Sequence, residues 1–372
     1  TEQLRVYQPK GCNTLNQVRG YERDCKRGSP IMPPILAFTP DYEGGLKFGE
    51  NSLALTSGKP IALINNNRGM GFDFYKHYGD VYIKDKDLYR PDVHTFIDQI
   101  AAETDPFEQN AAIGAVFKSD VLSIVLQGLK GVGNNGVLDT VSQKAAIPAL
   151  TSFLEVLKQA AATYLDVDPG EFRTGSQHYR TPVCITQQIF MADALENGAG
   201  YVSEIFDKDI MRKFLDKLYR EAETEWNDNN HIECDKSCPD CLRTYSNRFN
   251  HGLLDWRLAL DTLELFLGIK LKTERWLGQS SDIASTFVNY CNKANLSVSK
   301  CKVAGLYVLK TESKAFILSH PLWHTREGCA QDQQIEAKLE LESKYSELDI
   351  EFVDLRDLKN FPQPYITRLF NL

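Results

Sequence analysis

The stretch HIECDKSCPDCLRTYSNRFNH, residues 231–251, places Cys234, Cys238 and Cys241 in the pattern C-x3-C-x2-C. The C-x2-C half lets two sulfurs reach one ion across a tight turn, which Pro239 helps to set. A redox dithiol of the C-x-x-C type would expect a neighbouring βαβ pattern, and the flanking sequence shows none. We therefore predict a zinc site, and a closed, thiolate-rich site of this kind is structural rather than catalytic.

A tetrahedral zinc ion needs a fourth ligand, and two histidines near the cysteines can supply it. His251 lies ten residues beyond Cys241 and is our first choice, with His231 as the alternative. Three arginines in or just after the same stretch are candidates for contacts with DNA phosphates, the alternative being ordinary surface arginines. These are Arg243, Arg248 and Arg257.

The composition is that of a globular chain with more than one domain. Of its 372 residues, 42% are hydrophobic and 25% are charged, so we expect two or three folded domains. The net charge of −8 argues against a protein whose whole surface grips nucleic acid, but a local basic patch stays possible. No apolar run approaches the roughly 18 residues that cross a bilayer, and no secretory signal is evident. We expect a cytoplasmic protein with reduced cysteines and no membrane partner.

Hydrophobic patterning predicts an α+β, multi-domain chain. Residues 1–110 form a β-rich N-terminal region, because short apolar runs such as ILAFTP and PIALINN alternate with Gly, Pro and Asn clusters. Residues 111–268 form the zinc-binding domain, with one or two buried strands in 111–127, a long helix that DVDPG ends, and a helix over about 201–223. Residues 269–372 alternate helical and strand patterns, which predicts a small α/β domain of unknown role.

Several segments, in the same order, resemble one family: the C-terminal zinc-binding domain of DEAD/DEAH-box helicases of the mitomycin-repair type. The resemblance covers about residues 117–260 and comprises FKSDVLSI, AAIPALTSFLEVLKQAAATYLDVDPGEF, IFMADALENGAGY, CDKSCPDCLRTYSN and HGLLDWRLAL. On this resemblance, Cys234, Cys238 and Cys241 match the family's zinc ligands. The mitomycin-repair branch completes its site with a fourth cysteine, which this chain lacks nearby. His251 is the substitute in the branch that reads N-x3-H-x2-LD.

The resemblance implies a non-motor, zinc-stabilised accessory module of a superfamily-2 DNA helicase or translocase. Family members act in DNA repair or in anti-phage defence, including DISARM, Druantia and deazapurine DNA-modification systems. The implied partners are DNA and a helicase motor, in cis or in trans, and ATP with magnesium is expected only on that motor. Asp120 and Asp193 also fall in family-like segments, where a buried carboxylate could cap a turn or hold an arginine.

The sequence itself contains no ATPase or nuclease motif. The stretch GLKGVGNNG contains Lys130 but lacks the terminal G-K-[ST] of a phosphate-binding loop, so we interpret it as a flexible loop. His320 and His324 are spaced i, i+4, but Pro321 argues against a shared helix, and a strand end followed by a loop is our interpretation. Two alternatives for the function stay open: a metal-dependent nuclease with its site in the C-terminal domain, and a pure protein-interaction adaptor.

Overall fold

The computed structural model describes most of the chain from residue 91 onward and parts of the segment before it. The described residues are 6–7, 35–38, 46–48, 50–65, 71–83, 91–195, 197–228, 231, 233–345 and 347–371. Helices and strands are mixed along these residues, and the strands form a large and a small sheet. The predicted α+β class is confirmed. Within the described ranges, no helix is long and apolar enough to cross a membrane.

The large sheet comes from the first half of the chain. Its strands are β1 (Val6–Tyr7), β2 (Ile35–Phe38), β3 (Leu46–Phe48), β4 (Asn51–Asn65), β5 (Phe72–His77), β6 (Asp80–Ile83), β7 (Glu108–Val125), β8 (Phe172–Arg180) and β9 (Ile185–Asp193). β7 is central: β4 pairs antiparallel with it along most of its length, and β5 and β9 pair with it near its two ends. The segment predicted as one or two buried strands is therefore part of one long strand.

Among the described residues, five helices belong to this part of the chain. They are α1 (Pro91–Glu103), α2 (Ala146–Leu165), α3 (Tyr201–Ile205), α4 (Lys208–Trp226) and α5 (Trp256–Leu267). α2 lies against β8 and β9, and α5 packs on α2 and α4. The single helix predicted over about 201–223 is wrong, because the Asp207 side chain accepts hydrogen bonds from the N–H groups of Asp209 and Ile210 and starts α4 anew.

The small sheet comes from the C-terminal part and has the order β10–β11–β12–β13. Its strands are β10 (Ser299–Val303), β11 (Leu306–Lys310), β12 (Lys314–Ser319) and β13 (Asp349–Asp354), and its helices are α6 (Glu274–Leu277), α7 (Ser280–Lys293), α8 (Asp332–Lys344), α9 (Leu355–Asn360) and α10 (Pro362–Phe370). The first three strands are antiparallel, and β12 and β13 are parallel. The predicted alternation of helix and strand is therefore present.

One hydrophobic core joins the two sheets. Phe266 of α5 stacks on Phe48 with the ring centroids 4.6 Å apart, and its centroid lies 5.1 Å from that of Phe153. The same buried cluster continues to Phe316 and Leu318 of β12. The predicted domain boundaries lie near residue 110 and near the end of α5. β7 runs across the first position, and the hydrophobic core is continuous across the second. The division into domains stays a prediction.

Candidate metal centre

The cysteine-rich stretch connects the end of α4 to the start of α5, and we call residues 231–255 the knuckle. α4 ends at Trp226, and the Asp255 side chain caps the first turn of α5. Between them, the carbonyl oxygen of Cys238 accepts hydrogen bonds from the N–H groups of Cys241 and Leu242, each at 3.2 Å. This tight turn folds the C-x2-C half back on itself, as the spacing predicted.

Four potential ligand atoms converge in the knuckle. One ring nitrogen of His231 and the Sγ atoms of Cys234, Cys238 and Cys241 all lie within 4.8 Å of one another. The sulfurs of Cys238 and Cys241 are 3.8 Å apart. Two sulfurs bound to one ion at about 2.3 Å with a tetrahedral angle would also be about 3.8 Å apart. The arrangement therefore has the size of a tetrahedral zinc site.

His231 offers a bare nitrogen to the sulfurs. Its ring is buried, and its Nδ1 lies 3.0 Å from the carbonyl oxygen of Trp226. A carbonyl oxygen only accepts, so Nδ1 carries the proton and Nε2 keeps its lone pair. Nε2 is buried and has no hydrogen-bond partner among the described residues. A metal ion would supply that partner, and a backbone carbonyl on the other ring nitrogen is a common way to orient a ligating histidine.

The chemistry of the thiols also fits a metal ion. Burial raises the pKa of Cys234 and of Cys241, and the neighbouring Cys238 sulfur raises the pKa of both further. The backbone N–H of Cys238 nevertheless points at the Cys241 sulfur at 3.1 Å, as it would toward a thiolate. A divalent ion resolves this conflict because it replaces the thiol protons and offsets two of the three thiolate charges. Three sulfurs and one imidazole are a donor set that zinc prefers.

His251, the first choice for the fourth ligand in the sequence, lies outside this group. Its Nε2 is 2.9 Å from Oδ1 of Asn247 and 3.0 Å from the carbonyl oxygen of Thr244. Both oxygens are acceptors, so Nε2 carries a proton and has no lone pair to offer. The structure instead brings the sequence alternative, His231, beside the cysteines, where its Nδ1 contacts the carbonyl oxygen of Trp226.

Asn247 is an important residue that the cysteine spacing did not reveal. It is buried, its Nδ2 donates to Oε2 of Glu155 at 3.0 Å, and its Oδ1 accepts the N–H of Thr244 at 2.9 Å. Glu155 forms an ion pair with Lys158 at 2.8 Å, and both side chains are buried on α2. The N-x3-H signature of Asn247 and His251 therefore marks a hydrogen-bonded clamp between the knuckle and α2.

The three arginines predicted to contact DNA have different environments. Arg257 is buried, and its Nη1 donates to the carbonyl oxygens of Cys234 at 3.3 Å and Asp235 at 2.9 Å. Arg243 is half-buried and its Nε donates to the hydroxyl of Ser237 at 2.9 Å, whereas Arg248 is exposed. Arg257 therefore holds the knuckle backbone instead of facing a phosphate, and contacts with DNA stay a prediction for the other two.

Two ion pairs join the knuckle to α9. Oδ2 of Asp255 is 3.2 Å from Nε of Arg356, and both side chains are buried. Burial raises the pKa of Asp255, although Arg356 and Arg257 oppose that shift. Asp235 pairs with Lys359 at 2.7 Å; burial alone would raise the pKa of Asp235, but the ammonium group lowers it below its usual value. The C-terminal part of the chain is thus attached directly to the candidate metal centre.

Asp193 holds residues 199–202 in place. Its fully buried carboxylate accepts the N–H groups of Ala199, Gly200 and Tyr201 on Oδ2, at 2.8, 2.7 and 3.2 Å. Its Oδ1 accepts the N–H of Val202 at 3.0 Å. The expected turn-capping role of this carboxylate is confirmed, and it satisfies donors at the start of α3 that would otherwise lack a partner.

His320 and His324 follow β12 in a loop, as predicted. Both are buried: Nε2 of His320 lies 3.4 Å from Oδ2 of Asp261, and Nε2 of His324 lies 3.0 Å from Oγ of Ser142. Burial lowers the pKa of His324. The two rings contact different partners, and the knuckle is the one potential metal-binding cluster found in the described part of the chain.

The glycine-rich stretch GLKGVGNNG is not the flexible loop that its composition predicted. Leu129 and Val132 are buried, and the N–H of Gly133 donates to the carbonyl oxygen of Leu322 at 3.0 Å. A Cβ atom on Gly133 would lie 2.1 Å from the carbonyl oxygen of Val137. Gly133 therefore allows close backbone packing within the stretch, whose N–H group at this position bonds to the loop that follows β12.

Together, the fold and the four converging ligand atoms define a zinc-binding domain whose metal centre is closed and structural in character. Residues 153–242 match the MZB family, the MrfA Zn-binding domain. Residues 153–242 are thus similar to the MrfA Zn-binding domain, and the family resemblance seen in the sequence is confirmed for this part of the chain.

The proteins that this chain resembles are much longer than the part of them that it matches. Druantia protein DruE from Escherichia coli (strain UMEA 4076-1) is 31% identical over 164 residues, which make up 42% of this chain and 8% of DruE. The crystal structure of the DUF1998 helicase MrfA bound to DNA covers 62% of this chain and 25% of that chain, at 15% identity and a TM-score of 0.34. The crystal structure of MrfA bound to DNA and AMPPNP covers 50% of this chain and 27% of that chain, at 14% identity and a TM-score of 0.21. The chain therefore spans less than a tenth of DruE and about a quarter of MrfA.

Proposed function

We propose that this chain is a non-motor, zinc-stabilised accessory module of a DNA helicase or translocase. The observation that carries the proposal is the knuckle, where the sulfurs of Cys234, Cys238 and Cys241 and one ring nitrogen of His231 lie within 4.8 Å of one another. The Nε2 of His231 has no hydrogen-bond partner among the described residues. A zinc ion held by these four residues would fix the end of α4 against the start of α5. Its role is architectural, because four protein ligands leave no position open for a reacting water.

The contacts of the knuckle support a scaffold that extends into the C-terminal part. The ion pairs from Asp255 to Arg356 and from Asp235 to Lys359 tie α9 to the two ends of the knuckle. Trp256, the first residue of α5, ties this helix to the knuckle as well, since its Nε1 donates to the carbonyl oxygen of Cys234 at 3.1 Å. Metal binding at one position would therefore stabilise the packing of α4, α5 and α9 together.

The proposed partners follow from the relatives. MrfA is a helicase whose crystal structure contains DNA, so we assign DNA and a helicase motor, in cis or in trans, as the partners of this module. ATP and magnesium would bind to the motor. The similarity to a Druantia protein supports a role in anti-phage defence, with DNA repair as the related role and the cytoplasm as the location.

Three assays on the purified, zinc-loaded chain test the proposal: DNA binding, ATP hydrolysis, and DNA cleavage with Mg²⁺ or Mn²⁺. We expect DNA binding that weakens with added salt, and neither ATP hydrolysis nor cleavage. Metal-dependent cleavage that His320→Ala abolishes would replace the proposal with the nuclease alternative. Tight binding to a protein partner without affinity for DNA would replace it with the adaptor alternative.

A further inference from the structure

An exposed tyrosine and an exposed arginine form a stacked pair on the surface of the knuckle. Tyr245 is 72% exposed, and the guanidinium carbon of Arg248 lies 4.5 Å from the centroid of its ring. The Nη1 of Arg248 donates to the carbonyl oxygen of Tyr245 at 3.2 Å, which keeps the guanidinium over the ring. The pair therefore presents an aromatic surface and a positive charge side by side.

The pair stands on a rigid base. Asn247, which lies between the two residues in sequence, is only 4% exposed and is hydrogen-bonded through both side-chain atoms, to Thr244 and to Glu155. The Nε2 of His251 donates to the same Asn247 oxygen at 2.9 Å. Because these contacts fix the backbone that carries the pair, little conformational entropy would be lost when a ligand binds there.

The charge of this segment differs from that of the whole chain. Between Asp240 and Asp255 the sequence has two arginines, Arg243 and Arg248, and no carboxylate, although the net charge of the chain is −8. The exposed Ser246 adds a hydroxyl group next to Tyr245. Arginine and serine are residues that commonly contact phosphate oxygens. The segment is therefore complementary to an anionic ligand that also offers a flat apolar face.

We propose that Tyr245 and Arg248 form a binding site for single-stranded nucleic acid, with a base stacked on Tyr245 and an adjacent phosphate contacted by Arg248. An unpaired base exposes the face that stacking requires, whereas a base inside a duplex is covered by its neighbours. Stacking of this kind tolerates any sequence, as a module that follows a moving motor requires. This inference rests on the proposed function and adds the form of the DNA and the residues that hold it.

Fluorescence anisotropy with a labelled oligothymidylate and with a labelled duplex, on the full zinc-loaded chain, tests the site. We expect Tyr245→Ala to weaken binding of the single strand about tenfold and Tyr245→Phe to retain most of the affinity, because the stacking face remains. Arg248→Ala should weaken binding and lower the slope of log affinity against log salt by about 0.7. Tyr290→Ala, which removes another half-exposed tyrosine, is the matched control and should bind as the parent does.

Zinc content and melting temperature, measured on the same samples, separate a lost contact from a lost fold. Parent-like affinity in both Tyr245→Ala and Arg248→Ala would overturn the site while leaving the zinc-stabilised module intact. Equal losses for single strand and duplex would overturn the single-strand preference. A parent chain that binds neither form would overturn this inference and the DNA-binding part of the proposed function together, whereas the zinc measurements would still test the scaffold separately.

Discussion

Two buried histidines, His231 in the knuckle and His320 behind β12, each have an Nε2 atom without a hydrogen-bond partner among the described residues. Their tautomers make them different. Nδ1 of His231 faces the carbonyl oxygen of Trp226, so its Nε2 keeps its lone pair, and the ring lies beside three sulfurs. Nδ1 of His320 accepts the N–H of Leu322 at 3.1 Å, so its Nε2 carries a proton and points at Asp261. An unpartnered ring nitrogen therefore indicates a metal ligand only when the other nitrogen donates.

The polar groups around the two rings also differ. Asp261, which faces His320, also accepts from the Nε1 of Trp276 at 2.9 Å and pairs with Arg275. Arg275 pairs in turn with Glu264, whose carboxylate accepts the hydroxyl of Tyr219 at 2.6 Å. In this network the guanidinium group of Arg275 pairs with both carboxylates, and Trp276 and Tyr219 donate to them. In the knuckle, three thiols and one imidazole converge instead. His320 therefore lies in a buried ion-pair network, whereas His231 lies in the candidate metal centre.

Cys238→Ser should have the largest effect. It removes one of the four ligands, so we expect loss of bound zinc and a loss of stability of several kcal/mol, because the free energy of binding a structural zinc ion is also folding free energy. Zinc analysis and thermal unfolding measure both effects. The control is Cys301→Ser, which changes an exposed thiol on β10 and should alter neither quantity. A Cys238→Ser protein with parental zinc content and melting temperature would contradict the metal centre.

Asp261→Ala sharpens the contrast from the other side. It leaves the Trp276 Nε1–H buried without its acceptor and removes one of the two carboxylates that pair with Arg275, so we expect a loss of about 3–5 kcal/mol in the free energy of unfolding. The zinc content should stay at the parental level, because this network contributes no metal ligand. Lys217→Ala, in an exposed pair on α4, is the control and should change stability little. Loss of zinc in Asp261→Ala would mean that the two regions are not separate.

Asp354→Asn tests a third polar site, where burial sets the charge and no metal is involved. Asp354 caps α9, and burial raises its pKa to about 7. The hydrogen bond from the N–H of Asp357 and the charge of Arg356 oppose this shift, whereas the charge of Asp357 adds to it. A raised pKa in the folded state gives stability that is complete below about pH 4 and is lost as the pH rises to 7. Asparagine keeps the cap and stays neutral, so its advantage should grow between pH 4 and 7 and then level off.

The advantage of Asp354→Asn should reach about 4 kcal/mol, since the pKa rises from 3.8 to about 7 and each unit corresponds to about 1.4 kcal/mol. Melting temperatures of variant and parent across this pH range provide the measurement. Asp349→Asn serves as the control, because Asp349 is the exposed first residue of β13, the strand that ends at Asp354. Parallel curves for the Asp354 variant and the parent would show that this carboxyl group is not buried in a neutral form.

The sequence predicted much of the fold, and its failures have identifiable physical causes. The α+β class, the strands around β7 and the helix and strand alternation after Lys270 follow from apolar periodicity, which burial imposes directly. β8, with the sequence FRTGSQHYR, was missed because it is largely polar and only half-buried. The break at Asp207 had a local signal, an N-capping aspartate, but the apolar spacing on both sides suggested one helix.

For the candidate site, the three thiols could be read from their spacing, but the choice of histidine could not. His231 and His251 lie three and ten residues from the nearest cysteine, and either distance allows a loop to close on one ion. What distinguishes them is the carbonyl oxygen of Trp226 on one side and Asn247 on the other, which are contacts that only the folded chain makes. The clamp from Asn247 to Glu155 joins residues 92 positions apart and was hidden for the same reason.

The central claim is that His231, and not His251, completes a structural zinc site with the three cysteines. Zinc content per chain and zinc affinity, measured by competition with a chelator on His231→Ala and His251→Ala, test it most directly. We expect about one zinc per chain in the parent and in His251→Ala, and a strongly reduced affinity in His231→Ala. Retention of zinc by His231→Ala together with its loss from His251→Ala would contradict the claim.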